Sequence, residues 1–393
     1  MLALRILAVI GGALAVAWVL WSAIRTVIVP RGESVWLSRK VFLVVREGFE
    51  FAGRRTRSYE GYDRIMARYA PVALVLLPAA WALIVLLAFV PMYWAFGVSP
   101  WREAIITSGS SFTTLGFSRP GGLGADILCF VQATIGLFIV ALLISYLPAI
   151  YGSFSRREAA VMKLEVRAGS PPSAEEFLIR VHRIRGLEYF ATQWEEWENW
   201  FVDIEESHTS QPSLPFFRST RTHSSWITSA GTVMDTASIM VSSLDIEPNP
   251  QAQITLRSGF LALRAISTSF RLPYDPDPAP DDPISIDRAE YDQLMDRLVD
   301  AGLPVKQDLD QAWRDFAGWR VNYDETLLRI CALVSAPVAV WSSDRVERLG
   351  RPRDLRLGRS IDRSGDGSGA GADERSGERS GDGAGDREDD RST

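Results

Sequence analysis

The chain has 393 residues, 47% of them hydrophobic, and a formal net charge of -6. That length leaves room for one to three domains, and the acidic balance excludes a basic nucleic-acid binder. Two cysteines and three scattered histidines exclude a disulfide framework and a zinc site. With no HExxH, GxSxG or P-loop pattern, nothing points to an enzyme or a resident cofactor.

The first apolar run extends from Arg5 to Pro30 and is free of charge between Ile6 and Leu20. As a helix it reaches roughly 35 Å, enough to cross a bilayer. A signal peptide is the competing reading, with Ala15-Val16-Ala17 as its cleavage site. The apolar stretch continues past that site to Val29, so residues 1–30 are expected to be a retained span. Residues 31–68 carry Arg31, Arg39, Lys40, Arg46, Arg54, Arg55, Arg57, Arg64 and Arg68. Val35, Trp36, Val41, Phe42, Val45, Phe49 and Phe51 are interleaved with some of them. The pattern predicts an amphipathic helix in the headgroup region, followed by a basic linker.

The second apolar run, Ala70 to Phe96, carries no charge and includes Met92-Tyr93-Trp94, aromatics suited to a membrane interface. The third, Ile127 to Tyr151, is followed by Ser155-Arg156-Arg157-Glu158. Basic residues set the orientation: nine lie in 31–68, against Arg102 and Arg119 in 97–125. Positive loops stay in the cytoplasm, which predicts an outside N-terminus and a cytoplasmic C-terminal part.

Residues 156–348 are expected to be a helical cytoplasmic domain. Ser173, followed by Glu175 and Glu176, is a good helix start. Trp194, Trp197, Phe201 and Ile204 recur at helical spacing, which predicts a core or subunit-packing face. Further helices are expected over 222–243, 250–271, 286–301 and 307–332, parted by breaks at Pro248, Pro250 and between Pro273 and Pro283. Residues 349–393 are Gly, Ser, Asp and Arg with few apolar residues, so disorder is expected there.

The most informative stretch lies between the second and third runs, from Trp101 to Pro120: WREAIITSGSSFTTLGFSRP. It is too short to cross and return as two helices. It predicts a re-entrant helix followed by an extended loop. Bare backbone at membrane depth is tolerated only where protein buries it or where it lines a water-filled path. A ring of such loops would point carbonyl oxygens at an axis, where they replace the water shell of a monovalent cation.

At these residues the chain resembles the tetrameric potassium-channel pore family, whose pattern is a pore helix, then Thr-Thr-Val-Gly-Tyr-Gly, then an inner helix. Thr113 and Thr114 match the threonines, Leu115 stands for Val, Gly116 matches the first Gly and Phe117 stands for Tyr. The resemblance covers about residues 69–155. It implies that the ion meets the Thr114 hydroxyl and the carbonyls of Thr114, Leu115, Gly116 and Phe117. The loop is also similar to the one-glycine pore loops of Trk/Ktr-type potassium transporters, which carry four loops in one chain.

Two positions depart from the pattern. Ser118 replaces the second Gly, where a left-handed backbone would cost Ser about 1–2 kcal/mol. Arg119 replaces the Asp of the outer mouth, and a positive ring there repels cations unless an acid such as Asp126 pairs with it. Gly136, 22 residues after Thr114, lies near the place where inner helices of the family bend, and Pro148, near the far end of the third run, is a proline whose kink would shape a gate; both are candidate gating hinges.

The expected fold is an all-α membrane protein with three transmembrane helices and one re-entrant pore loop, plus a helical cytoplasmic domain and a disordered tail. Its divisions are 1–30, 31–68, 69–155, 156–348 and 349–393. The expected function is a cation channel subunit of a bacterial inner membrane, passing potassium in a homotetramer. Its partners would be the bilayer and its own copies; a ligand of the 156–348 domain is not readable. The alternative is a non-conducting membrane-anchored scaffold or sensor.

Overall fold

The computed structural model describes residues 1–27, 36–56 and 58–349. The expected tail, from residue 350 on, lies outside them, as do Arg31 and Arg57. Among the described residues the regular structure is helical, with one isolated β-bridge between Leu244 and Val305. Three helices are long and apolar enough to cross a membrane. They are α1 (Leu2–Val27), α4 (Tyr69–Ala95) and α6 (Leu123–Ala168).

Helix α1 packs along α4 through Gly12, Val16, Val19 and Ala23, spaced four, three and four apart. That spacing keeps one stripe of the helix turned to its neighbour. The opposite face, with Leu7, Leu14 and Trp21, is exposed.

Between α1 and α4 lie α2 (Trp36–Gly53) and α3 (Tyr59–Met66). The expected basic linker is thus partly a second helix. Ser58 starts it, its Oγ accepting from the Gly61 N–H at 3.1 Å. Helix α2 packs on α4, where the Phe42 and Phe49 rings meet Tyr69 at 6.3 and 6.2 Å. The Tyr69 hydroxyl donates to the Phe42 carbonyl at 3.2 Å.

Helix α5 (Trp101–Phe112) packs against both α4 and α6. Its start is fixed by Trp101, stacked on Trp94 at 5.5 Å and 7°.

Helix α6 has 46 residues and measures roughly 69 Å, twice what a bilayer core requires. It runs straight through the 155/156 division. The charges from Arg156 onward end the apolar stretch but not the helix, since Arg, Glu, Ala, Met, Lys and Leu are all good helix formers. Beyond Tyr151 it buries Arg157, Glu158, Val161, Leu164, Glu165 and Ala168 in a second body.

That body contains α7 (Ala174–Arg185), α8 (Ala191–Ser210), α9 (Trp226–Ser242), α10 (Pro250–Ser269), α11 (Arg288–Asp300), α12 (Leu309–Arg320) and α13 (Asp324–Val334). Helix α9 is its centre; every residue of it except Val241 is buried. Its hydroxyls tolerate burial by bonding back along the helix, as Thr236 does to the Thr232 carbonyl at 2.7 Å and Ser242 to that of Ser238 at 2.6 Å. The Trp194, Trp197, Phe201 and Ile204 stripe lies in this core, and Ser173 caps α7 by accepting from the Glu176 N–H.

The single helix expected over 307–332 is two helices. Asn322 turns its side chain back to the Gly318 carbonyl at 3.0 Å, closing α12, and Asp324 and Glu325 open α13. The fully buried Arg320 spans the break. It pairs with Asp235 of α9, bonds Asp324 at 2.8 Å and donates to the Trp341 carbonyl at 2.5 Å.

The turn 211–218 joins the second body to the long apolar helices. Leu214 and Phe217 pack with Leu74 of α4 and with Ile150 and Phe154 of α6; Phe216 meets Tyr69 at 5.9 Å. Arg157, buried beside Glu158 at 2.8 Å, donates to the carbonyls of Leu214 at 3.0 Å and Phe217 at 2.7 Å. Arg218 pairs with Asp63 of α3 and donates to the Ser335 carbonyl at 3.0 Å, just past α13. His208, its ring 4.4 Å from Trp226, lies 3.4 Å from Arg157. Burial, then the Arg157 charge, hold its imidazole well below its ordinary range.

Candidate functional site

Helix α5 buries four hydroxyl residues, Thr107, Ser108, Ser110 and Ser111. Each needs a partner, and their partners fix the helix. The Ser108 Oγ donates to the Leu86 carbonyl of α4 at 2.8 Å and accepts from the Gln132 Nε2 of α6 at 2.8 Å. The Gln132 Oε1 in turn accepts from the Tyr93 hydroxyl at 2.9 Å. Tyr93, Ser108 and Gln132 are fully buried, so one polar chain ties α4, α5 and α6 together. This network was not anticipated from the sequence; its one signal was Gln132, the lone amide in the apolar run from Ile127 to Tyr151.

The end of α5 shapes the loop. The Thr114 N–H reaches the Ser111 carbonyl at 3.1 Å and the Leu115 N–H reaches that of Ser110 at 3.0 Å. This pair of bonds closes a helix around a left-handed residue, usually glycine. Here it is Thr114, at φ +58°. A branched side chain at such a φ costs about 1–2 kcal/mol. Gly116 follows at φ +71° with open space around it, and there the absence of Cβ removes the penalty.

The strain expected at Ser118 is therefore found at Thr114. Ser118 has no positive φ; it is docked onto α5. Its Oγ lies 2.8 Å from the Thr107 Oγ1, and its N–H donates to the Ser110 Oγ at 3.2 Å.

Thr113, Thr114, Leu115, Gly116 and Phe117 are exposed in the single chain. The Thr114 hydroxyl is turned back to the Thr113 carbonyl at 2.7 Å. Arg119 is exposed and Asp126 sits in the first turn of α6, where the helix dipole favours a carboxylate. The two do not pair, and among the described residues neither forms an ion pair.

The two candidate hinge residues are far apart in role. A Cβ on Gly136 would stand 2.4 Å from the Phe112 carbonyl oxygen, so this glycine allows α6 to touch the end of α5 just before the threonines. Pro148 is exposed within α6 and lies near Ile150, which packs with Leu214 of the joining turn.

No group of three or more His, Cys, Asp or Glu side chains suited to a metal ion exists among the described residues. A cavity of about 400 Å³ in the second body is lined by Asp275, Asp282, Asp324 and Glu325. These carboxylates already hold backbone N–H groups or arginines: Asp282 bonds the Ala279 N–H, Asp275 that of Asp277, and Glu325 pairs with Arg329. Compared with known proteins, the chain matches no family model, no curated protein and no solved structure.

Proposed function

We propose that the chain is one subunit of a cation channel, in which four copies surround an axis and residues 113–118 form the ion path. Potassium is the ion that the resemblance of Thr113 to Phe117 implies. The observation that carries the reading is the end of α5: a short helix, locked between two long apolar helices, delivers a loop with two left-handed residues and a bare, exposed backbone. In a membrane such a backbone needs a protein or water partner, and one loop cannot enclose an axis, so closure by copies follows. The excess of basic residues in 31–68 over 97–125 supports a cytoplasmic position for α2 and α3, and with them for the second body. The turn 211–218 then links that body to the ends of α4 and α6.

Arg119 favours the other reading, a non-conducting scaffold or sensor, because it is exposed next to the loop and forms no ion pair among the described residues. Purified protein in planar bilayers, with potassium exchanged for sodium, distinguishes the two. A potassium-selective current that Gly116→Ala abolishes supports the channel. Silence of the wild type, and of Ser118→Gly with Arg119→Asp, in intact oligomers overturns it.

A further inference from the structure

The corner between α1 and α2 is lined by exposed aromatic rings with cations over them. Trp18 and Trp21 of α1 are 41% and 59% exposed, and Trp36 of α2 is 59% exposed. The Trp18 and Trp36 rings meet at 5.9 Å, and the Thr26 and Ser38 hydroxyls join the helices at 2.8 Å. The Lys40 ammonium lies 5.1 Å from the Trp36 ring and the Arg25 guanidinium 5.3 Å from that of Trp21. Farther along the outer face of α2, the Arg55 guanidinium lies 4.4 Å from the exposed Phe51 ring, with Val44 exposed between.

Helix α2 is thus apolar on two sides. Leu37, Phe42, Val45 and Phe49 are spent on α4 and its neighbours. Trp36, Val44 and Phe51 remain outward, and large exposed apolar groups in one stripe mark a contact surface. Tryptophans flanking apolar spans sit at headgroup level. Along α2 the charge is net positive: among the described residues Lys40 near one end and Arg55 just past the other form no ion pair, Glu50 is held by Arg46 and Arg54, and the exposed Glu47 is a carboxylate of the helix outside any ion pair.

We propose that this face of α1 and α2 binds anionic phospholipid headgroups in the leaflet nearest the second body. The rings lie among the glycerol and upper acyl carbons, and Lys40 and Arg55 meet the phosphates. A zwitterionic lipid satisfies the rings but not the uncompensated cations, so the surface discriminates by charge.

Native mass spectrometry of the full chain, released from detergent with equimolar phosphatidylglycerol and phosphatidylcholine, tests this without reference to ion conduction. The wild type should retain phosphatidylglycerol in preference. Each basic group near an anionic surface is worth about fivefold in affinity. Lys40→Gln with Arg55→Gln should therefore lower that retention about fivefold per charge and leave phosphatidylcholine unchanged, while Lys40→Arg keeps it. Millimolar inorganic phosphate should not displace the lipid. Equal retention of the two lipids by the wild type overturns the proposal whether or not the variants fold. So does an unchanged preference in the double variant, or displacement by free phosphate, which would mark a small-anion site.

Discussion

At Thr114 a branched side chain occupies the position where helix ends favour glycine, and the strain is local enough to measure. Thr114→Gly should raise stability by about 1 kcal/mol, read as a higher melting temperature in detergent, whereas Thr114→Ala, with its Cβ intact, should not. In the proposed channel both variants lose the hydroxyl, so in Thr114→Gly stability and ion selectivity move in opposite directions, while Thr114→Ala loses selectivity with no gain in stability. Gly136→Ala tests the contact behind the loop. Its methyl would lie 2.4 Å from a backbone oxygen, which cannot rotate aside, so a loss of about 1–3 kcal/mol is expected. His208 sets a pH dependence. An ordinary imidazole titrates near 6.5, and burial beside Arg157 holds this one lower. The unfolded chain then takes the proton first, so stability is full above about pH 6.5 and falls as the pH drops below it. Melting curves at neutral and mildly acidic pH should show that fall, and His208→Asn should flatten it. The Thr113–Ser118 motif was legible as a loop because its small and hydroxyl residues make poor helix. Which residue would be left-handed was not, because that depends on the Ser110 and Ser111 carbonyls capturing the next two N–H groups.

The helices with a strong local signal were the legible ones. Charge-free runs revealed α1 and α4, and proline breaks separated α9, α10 and α11. Helix α3 was hidden because its eight residues are rich in charge and its start depends on one serine cap. Long-range pairs leave no local pattern at all: Arg218 and Asp63 stand 155 residues apart in sequence, yet their contact ties α3 to the turn 211–218. Both side chains are largely buried. Arg218→Ala strands the Asp63 carboxylate and should cost about 3–5 kcal/mol. Asp63→Asn in that background should recover part of it, since an amide needs no counter-charge. A double-mutant cycle of urea or thermal unfolding checks this, and strictly additive losses would mean that the two side chains do not cooperate.

Over the whole molecule, the division expected at residue 155 followed from treating the end of an apolar run as the end of a helix. The structure separates the two: α6 leaves the apolar stretch and keeps its hydrogen bonds for roughly 17 more residues, or about 25 Å. Two connections therefore run between the second body and the long apolar helices, the continuous α6 and the turn 211–218. The turn is the one able to move independently, because it holds α4 and α6 by side chains and not by continuous backbone. Leu214, Phe216 and Phe217 provide the apolar contact, and Arg157, itself paired with Glu158, ties the turn by donating to two of its carbonyls. Phe216→Ala with Phe217→Ala should free it. Both rings are half-buried, so the loss should lie below the roughly 3–5 kcal/mol of a fully buried phenylalanine. Hydrogen exchange locates the effect better than a melting curve does. Amides of 211–218 and of α6 near Ile150 should exchange faster together, while those of α9, which is packed on all sides, stay protected. If only the turn loosens and α6 is unaffected, the turn does not restrain the long apolar helices. If both loosen, a displacement of the second body reaches the end of α6 near Pro148, and the same double variant should change the open fraction of the proposed channel without changing which ion it passes.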